Sequence, residues 1–599
     1  MKDAVTVPRT SRTKASRRRR RRVKTRYLVF VAVTACLAVL IVRGSQQVLS
    51  QVSCSDRPVY LNVAVSTDIA PAIQRIADVF NRQQHRADGQ CIFAHVDAAP
   101  SWQTTGEIDG THPEPGSTRI DAWIPDSSLW VDEARGFAVG ATTVQPAGFS
   151  VAHSPLMIVM PSQATAAKVA AFGKVGWRLL LPQAAGGPAV PAGLRVDLPD
   201  PTQNAAGLAT LIEISRLLGS GPSARVDFTK FVYSSQVTPD FGDPVSLKYF
   251  ASLAAPPLDG LPVTVTSEQA VLGYDAASPS RPLAASYPTG PSSDLGSPEL
   301  DYPYVTTTAN PVRYAAAKVF GRALTRPFAR SVIRYAGFRS GAGTGVPDKF
   351  PASYGLSSQL LQIAPPAAAS EAPSALQVWN KLSLGSRFLT LVDVSATMGA
   401  PAEPTDPTGP TVEQVLTQTA SLGLALFPDS ASIGLWEFAA DLNGRLPYKQ
   451  LVPVGPLGTS LGVISRRTEL QKINASIRPA GSPQLALYGS ILAAYKYMER
   501  TYQKSYFNSV VVMTSGEESA PGDITAAELL KQHGKLANPD RKVPVVIIVF
   551  GNPLDYGELK QIAAATGGQT YQITNPSQVG KVFFRALAHR LCDPNCVAA

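Results

Sequence analysis

The residues best suited to chemistry come late in the chain. The apolar run "FLTLVDVSATMGAP", Phe388 to Pro401, ends in Asp393, Ser395 and Thr397. Oxygen-bearing side chains at alternate positions of a strand end could be ligands for a hard cation such as Mg2+, which takes oxygen donors at about 2.0–2.1 Å. The same cluster could also satisfy loop amides with no ion present.

A second set of polar residues stands where strands run into helices. "VYLNVAVS" is followed by "TDIAPAIQRIADVFNRQ", in which Ile69, Ile73, Ile76, Ala77 and Phe80 keep helical spacing and Ser66, Thr67 or Asp68 can cap the helix. "RIDAWIPDSSLWVDEA" repeats the pattern, with Ser127 and Ser128 opening the helix, and "VDLPDPTQNAAGLATLIEI" does so around Thr202. A helix start leaves backbone amides free, and these favour an anion or a polar oxygen.

Enzyme motifs are missing. The sequence has no G-x-x-x-x-G-K-[ST], no H-E-x-x-H and no G-x-S-x-G, and its six histidines are scattered without ligand spacing. The expectation is therefore a binding protein, not a catalyst.

These sites must be carried by more than one core, because 599 residues exceed what a single core organises. The formal charge of +11 lies wholly within residues 1–26, a tail with a run of arginines from Arg17 to Arg22, and the remainder is neutral. Nucleic-acid binding is thus not expected of the folded part. After the tail, Tyr27 to Val42 is an uncharged run bounded by Arg26 and Arg43, which reads as a short transmembrane helix with a cytoplasmic N-terminus. A cleaved signal peptide and a lipoprotein box ending at Cys36 are weaker alternatives, since the apolar run continues past Cys36. Everything beyond Arg43 is then extracellular, where the even set Cys54, Cys91, Cys592 and Cys596 suits disulfides; the economical pairing is Cys54–Cys91 and Cys592–Cys596.

The stretch "APPAAASEAPSA", Ala364 to Ala375, divides the remainder. The expected plan is a basic tail (1–26), a membrane helix (27–43), a first α/β domain (56–360), a Pro/Ala-rich linker (361–385), a second α/β domain (386–591) and a short tail (592–599). The second domain carries four Val/Ile-rich runs, "RFLTLVDV", "ASIGLWEFA", "NSVVVMTS" and "VPVVIIVFG", which suit a parallel sheet covered on both faces.

Two resemblances follow. With "VAVSTDIAPAIQRIADVFN", "AWIPDSSLW", "SPLMIVMP", "DPTQNAAG", "VTSEQAV" and "LDYPYV" in order, the first domain resembles bacterial extracellular solute-binding proteins, which have a two-lobed periplasmic-binding fold. The resemblance implies a cleft for a small polar solute, lined by Ser66, Thr67, Ser127, Ser128 and Thr202. With "DVSATM", "GLWEFA", "ALYGSILAAY", "VVVMTSGEE" and "LKQIAAATGGQTYQI", the second resembles the von Willebrand factor type A (VWA) domain, a doubly wound Rossmann-like fold. That family grips a protein partner through Mg2+. Against its pattern, Asp393, Ser395 and Thr397 fit, but Ser515 stands where an aspartate belongs and Leu485 where a threonine belongs. Ser482, Glu517 or Glu518 would have to compensate. The expectation is a degenerate metal site, weak or empty, no cofactor, and a metal-independent protein partner.

Overall fold

The computed structural model describes residues 58–111, 119–161, 176–187, 194–238, 261–288, 296–340, 363–403, 405–443, 446–480, 485–516, 520–550 and 556–592. The basic tail, the apolar run 27–43, Cys54, Ser482, Glu517, Glu518 and Cys596 lie outside them. Among the described residues no helix is long and apolar enough to cross a membrane. Cys91 is buried and disulfide-bonded, and the side chain of Cys592 is not described.

The first domain is built on two sheets. The first has the order β2 (Arg86–Ala87), β3 (Gln90–Ala98), β1 (Val59–Val65), β4 (Ala122–Ile124), β12 (Pro303–Thr306), β5 (Gln145–Ser150). Strands β3, β1 and β4 run parallel, whereas β12 is antiparallel to β4 and β5. Helices α1 (Ala70–Arg82), α2 (Ser101–Asp109), α3 (Ser128–Arg135) and α4 (Ala138–Thr143) follow the early strands. The apolar stripe of α1, Ile73, Ile76, Ala77 and Phe80, is fully buried, as its spacing requires.

The second sheet has the order β10 (Ala284–Ser286), β6 (Ala152–Met160), β9 (Leu261–Ser267), β7 (Leu194–Pro199), β8 (Ser235–Thr238), and β11 (Glu299–Leu300) and β13 (Arg339–Ser340) also pair with β6. Helices α5 (Ala205–Leu218), α6 (Pro222–Ser234) and α7 (Glu268–Ala277) belong to this lobe, while α8 (Pro311–Leu324) and α9 (Pro327–Tyr335) return to the first. Gly207 lets α5 start against β7: a Cβ there would stand 2.1 Å from the Pro199 carbonyl oxygen.

The chain passes between the sheets at β5–β6, at β11–β12 and from α9 into β13. These crossings are fastened to one another. Val151 N donates to Tyr302 O at 2.9 Å, His153 Nδ1 is 2.7 Å from Glu299 Oε1, and the Tyr302 ring meets Phe338 edge-on with centroids 5.1 Å apart.

The expected linker 361–385 needs correction. Its middle is a helix, α10 (Glu371–Ser383), with Ala372, Leu376, Trp379 and Leu382 buried in the core of the first domain. It packs on α5 of one lobe and α3 of the other. Arg216 at the end of α5 binds Glu371 through two nitrogens, at 2.9 and 2.7 Å. Proline and alanine at its start disguise a helix whose apolar residues recur every three or four positions.

From α10 the chain enters β14 (Gly385–Asp393) within two residues. The third sheet has the order β16 (Leu446–Pro456), β15 (Ser432–Asn443), β14, β19 (Tyr506–Thr514), β20 (Val545–Phe550), β21 (Thr570–Ile573). It is parallel except for β16, an antiparallel edge, and a ribbon of β17 (Ser460–Leu461) and β18 (Ile464–Ser465) lies apart. Period-two alternation sends Leu389 and Leu391 to one face, with α13 (Leu487–Arg500), α14 (Ala526–Leu536) and α15 (Gly557–Ala565). Phe388 and Val392 face α11 (Val412–Ala425), α12 (Arg466–Ser476) and α16 (Val579–His589). The four expected strands are present. The edge strand β16 escapes such a reading because most of its residues are exposed or half-buried.

Two measurements test this packing. Trp379→Ala should cost about 3–5 kcal/mol, as removal of a buried indole does, and lower the melting temperature of the first domain. A merely tethering linker would leave that melt unchanged. Asp275, fully buried on α7, has its carboxyl pushed up to about 6 by desolvation. Between about pH 4 and 6 the folded chain keeps a proton that the unfolded chain releases, so stability falls as pH rises through this window and levels off above it. Asp275→Asn should therefore raise stability at pH 7.5 by about 1–3 kcal/mol and flatten that part of a denaturant-melt pH profile.

Candidate functional site

The carboxyl ends of β1 and β4 meet the β11–β12 crossing, and most of the polar helix-start residues gather there. Ser66 is buried and its Oγ donates to Asp68 Oδ1 at 2.6 Å, with Thr67 exposed beside it. Asp68 Oδ1 also accepts from Ile69 N at 2.8 Å, just ahead of α1, while the first amide of the helix, Ala70 N, donates to the Ser66 carbonyl at 3.0 Å. Ser127 is the N-cap of α3, its Oγ accepting from Leu129 N at 3.3 Å. The Ser128 amide donates at 2.7 Å to Asp301 Oδ1, which comes from the crossing between the sheets.

Three residues that sequence reasoning missed organise this region: Asp126, Asp301 and Tyr302. Tyr302 is completely buried at φ 38°, a left-handed conformation that costs a non-glycine residue about 1–3 kcal/mol. Its amide donates to Asp126 O at 3.2 Å and its hydroxyl donates to Asp68. Burial pushes the Tyr302 hydroxyl pKa well up, and the charges of Asp68, Asp126 and Asp301 push it further. Desolvation also raises the Asp301 carboxyl, against the hydrogen bond from Ser128. The sequence signal for Asp301 and Tyr302 was "LDYPYV", an Asp-Tyr before a proline, and Asp126 stands in the quoted "AWIPDSSLW".

Thr202 lies apart from this group, on the second lobe. Its amide and hydroxyl both donate to Asp200 Oδ1, at 2.9 and 2.7 Å, forming a local turn before α5. Asn204 caps α5 by accepting from Ala206 N and Gly207 N. Of the five expected ligand-contact residues, Ser66, Ser127 and Thr202 thus have their hydroxyls in local hydrogen bonds, and Ser128 has its amide so engaged.

In the second domain the structure brings Asp393, Ser395 and Thr397 together with Ser515 at the ends of β14 and β19. Asp393 is buried; its Oδ1 accepts from Ser395 N at 2.9 Å. Its Oδ2 accepts from Thr514 Oγ1 at 2.8 Å, Ser515 N at 3.2 Å and Ser515 Oγ at 3.3 Å. Ser395 Oγ and Thr397 Oγ1 are 2.8 Å apart, and Thr397 Oγ1 is 3.0 Å from Ser515 Oγ. The Ser515 hydroxyl closes a ring of hydrogen bonds. Desolvation lifts the Asp393 carboxyl above its ordinary range, and the bonds from Ser395, Thr514 and Ser515 work against that lift.

Leu485 is buried in the apolar core and offers no oxygen from its side chain. At the neighbouring start of α13, which lacks a side-chain cap of its own, Asp523 accepts from Tyr488 N at 2.9 Å and Gly489 N at 3.0 Å. This carboxylate too was missed by sequence reasoning. Among the described residues, no group of three or more His, Cys, Asp or Glu could hold a metal ion. The strand-end donors around Asp393 are one carboxylate and neutral hydroxyls, a poor set for a cation that sheds its waters reluctantly.

Residues 61–339 match the family model for bacterial extracellular solute-binding proteins. No match was found among curated proteins. Similar solved structures include the sulfate-binding protein SubI from Mycobacterium tuberculosis H37Rv, at 12% identity and TM-score 0.35, covering 51% of this chain and 94% of that one. Iron-bound HitA from Pseudomonas aeruginosa has 12% identity and TM-score 0.38, covering 55% and 100%. A von Willebrand factor type A protein from Catenulispora acidiphila has 17% identity and TM-score 0.26, covering 35% and 43%.

The ring around Asp393 sets a clear expectation. Mg2+ and Mn2+ should give no saturable heat at micromolar concentration in calorimetric titration of the chain. Asp393→Ala should instead lower stability by about 2–4 kcal/mol, because buried donors from Ser395, Thr514 and Ser515 lose their acceptor. Micromolar metal binding abolished by that substitution would overturn this account.

Proposed function

We propose that the protein is a membrane-anchored extracytoplasmic binding protein. In this reading residues 27–43 hold it in the membrane, the first domain takes a small polar solute, and the VWA-like domain meets a protein partner without a metal. The family match over 61–339 is the observation that carries the first part. The pairing Cys54–Cys91 belongs to the same reading, since Cys91 is disulfide-bonded.

The chemistry at the β1 and β4 ends narrows the solute. Just ahead of α1 the Ile69 amide donates to Asp68, and at the start of α3 the Ser128 amide donates to Asp301. An incoming anion would meet carboxylates, so the solute is an uncharged or cationic polar molecule. A second reading, an envelope scaffold that uses both folds as interaction surfaces, draws support from α10, which packs on both lobes and restrains their relative movement.

A thermal-shift screen of the full chain separates these readings. Polar amines and uncharged polyols are the expected stabilisers, with sulfate and molybdate inert. Ser66→Ala combined with Ser127→Ala should weaken the stabilising solute several-fold by loosening both helix starts. Stabilisation by oxyanions would reverse the assignment of charge, and silence across all solutes would favour the scaffold.

A further inference from the structure

A cavity of about 170 Å³ lies in the second domain between the sheet and helices α11, α12 and α16. Its wall is apolar, including Leu424, Phe427, Val511, Ile548, Phe583 and Ala586. Dry apolar cavities of about 150 Å³ are large enough to hold a benzene-sized molecule. The space is half open to solvent, and an apolar group entering it would gain dispersion contacts with the wall.

Polar side chains interrupt the wall at several places, among them Ser421, Gln471 and Asn474, and two of them, Thr419 and Arg590, bear on what the cavity could hold. Thr419 is completely buried, and its hydroxyl has no hydrogen-bond partner. Arg590 is 8% exposed and also lines the cavity. Its Nη2 donates to Ser386 Oγ at 2.9 Å and its Nη1 to Tyr233 OH at 3.3 Å, and the guanidinium lies 4.0 Å from the centroid of the Phe507 ring. A guanidinium has five N–H donors, and among the described residues these two hydroxyls are its hydrogen-bond partners.

Burial also penalises the Arg590 charge, and no carboxylate among the described residues pairs with it. A buried cation without a counter-charge is costly. The domain's other buried arginines are likewise held by neutral groups, and what sets Arg590 apart is its place on the cavity wall. Arg387 reaches Asn508 and Thr501, Arg466 reaches the carbonyls of Pro453 and Pro456, and neither lines the cavity.

We propose that this cavity binds a single-chain amphiphile with an anionic head, its chain among the apolar side chains and its carboxylate or phosphate on Arg590. The observations it rests on are independent of what the first domain binds. An anion supplies a counter-charge that Arg590 lacks among the described residues, and an alkyl chain fills space that water would not favour. Arg590 also touches Tyr233 on α6 of the first domain and Ser386 on β14 of the second, so an occupied site sits where the two domains meet.

The test uses the full chain in nanodiscs, with empty discs as the blank, and isothermal titration calorimetry. Octanoate and octyl phosphate represent the carboxylate and phosphate sources, and octan-1-ol the uncharged chain. At least one anion should bind one-to-one and at least tenfold more tightly than octan-1-ol. Arg590→Gln should weaken anion binding tenfold or more while changing octan-1-ol less than threefold. Ala586→Trp, which fills the cavity and keeps Arg590, should abolish all three, with circular dichroism melts confirming that the variant folds. Absence of saturable binding by every probe, or anion affinity unchanged in folded Ala586→Trp, would overturn the proposal. Loss in Ala586→Trp with full anion affinity in folded Arg590→Gln would overturn the assignment of the head to Arg590.

Discussion

Tyr302 is the residue on which the arrangement of the first domain turns. It adopts a left-handed backbone, which an L-residue holds only when its surroundings repay the strain. Here the surroundings come from several elements at once. Its amide is held by Asp126 after β4, its carbonyl by Val151 between β5 and β6, its hydroxyl by Asp68 after β1, and its ring by Phe338 before β13. Every passage of the chain between the two sheets is therefore tied to this side chain or its peptide groups. The candidate cleft residues inherit their positions from that knot, since Asp301, its neighbour, takes the first amide of α3.

The same knot explains the electrostatic character of the region. A helix start that could cradle an anion is neutral in effect once a carboxylate of the chain has docked on it. α3 is in this state, and Asp68 places a second carboxylate on the Ile69 amide just ahead of α1. The hydroxyls that mark the motif in sequence then serve the turn itself, and the charge of the region comes from Asp68, which the helix-start pattern shows, and from Asp301, which it does not.

The second domain is joined to the first by burial more than by covalent linkage. Trp379 and its neighbours on α10 belong to the core of the first domain, and the chain passes directly from that helix into β14. At the other end of the domain, Arg590 reaches back to Tyr233, and Phe583 packs edge-on against the same tyrosine. Asp393, at the far end of β14, closes on hydroxyls of its own domain. A cluster of this kind holds the ends of β14 and β19 together, since hydrogen bonds from Thr514 and Ser515 converge on one oxygen of Asp393.

Much of the architecture was legible in the residue pattern. Near-continuous Val and Ile runs such as "VPVVIIVFG" announce a doubly covered parallel sheet, because every position of such a strand is shielded from water. Helical spacing announced α1 and α5, and the strand-end triplet located Asp393, Ser395 and Thr397 on one loop. These are local signals, set by periods of two and 3.6 residues. What tertiary structure decided was every relation between distant segments. That Asp301 serves a helix 173 residues away, that Asp523 caps α13, and that Arg590 lines a largely apolar cavity have no periodicity to betray them. Likewise α10 reads as a linker from its prolines and alanines, and only the two lobes that receive Trp379 make it part of a core.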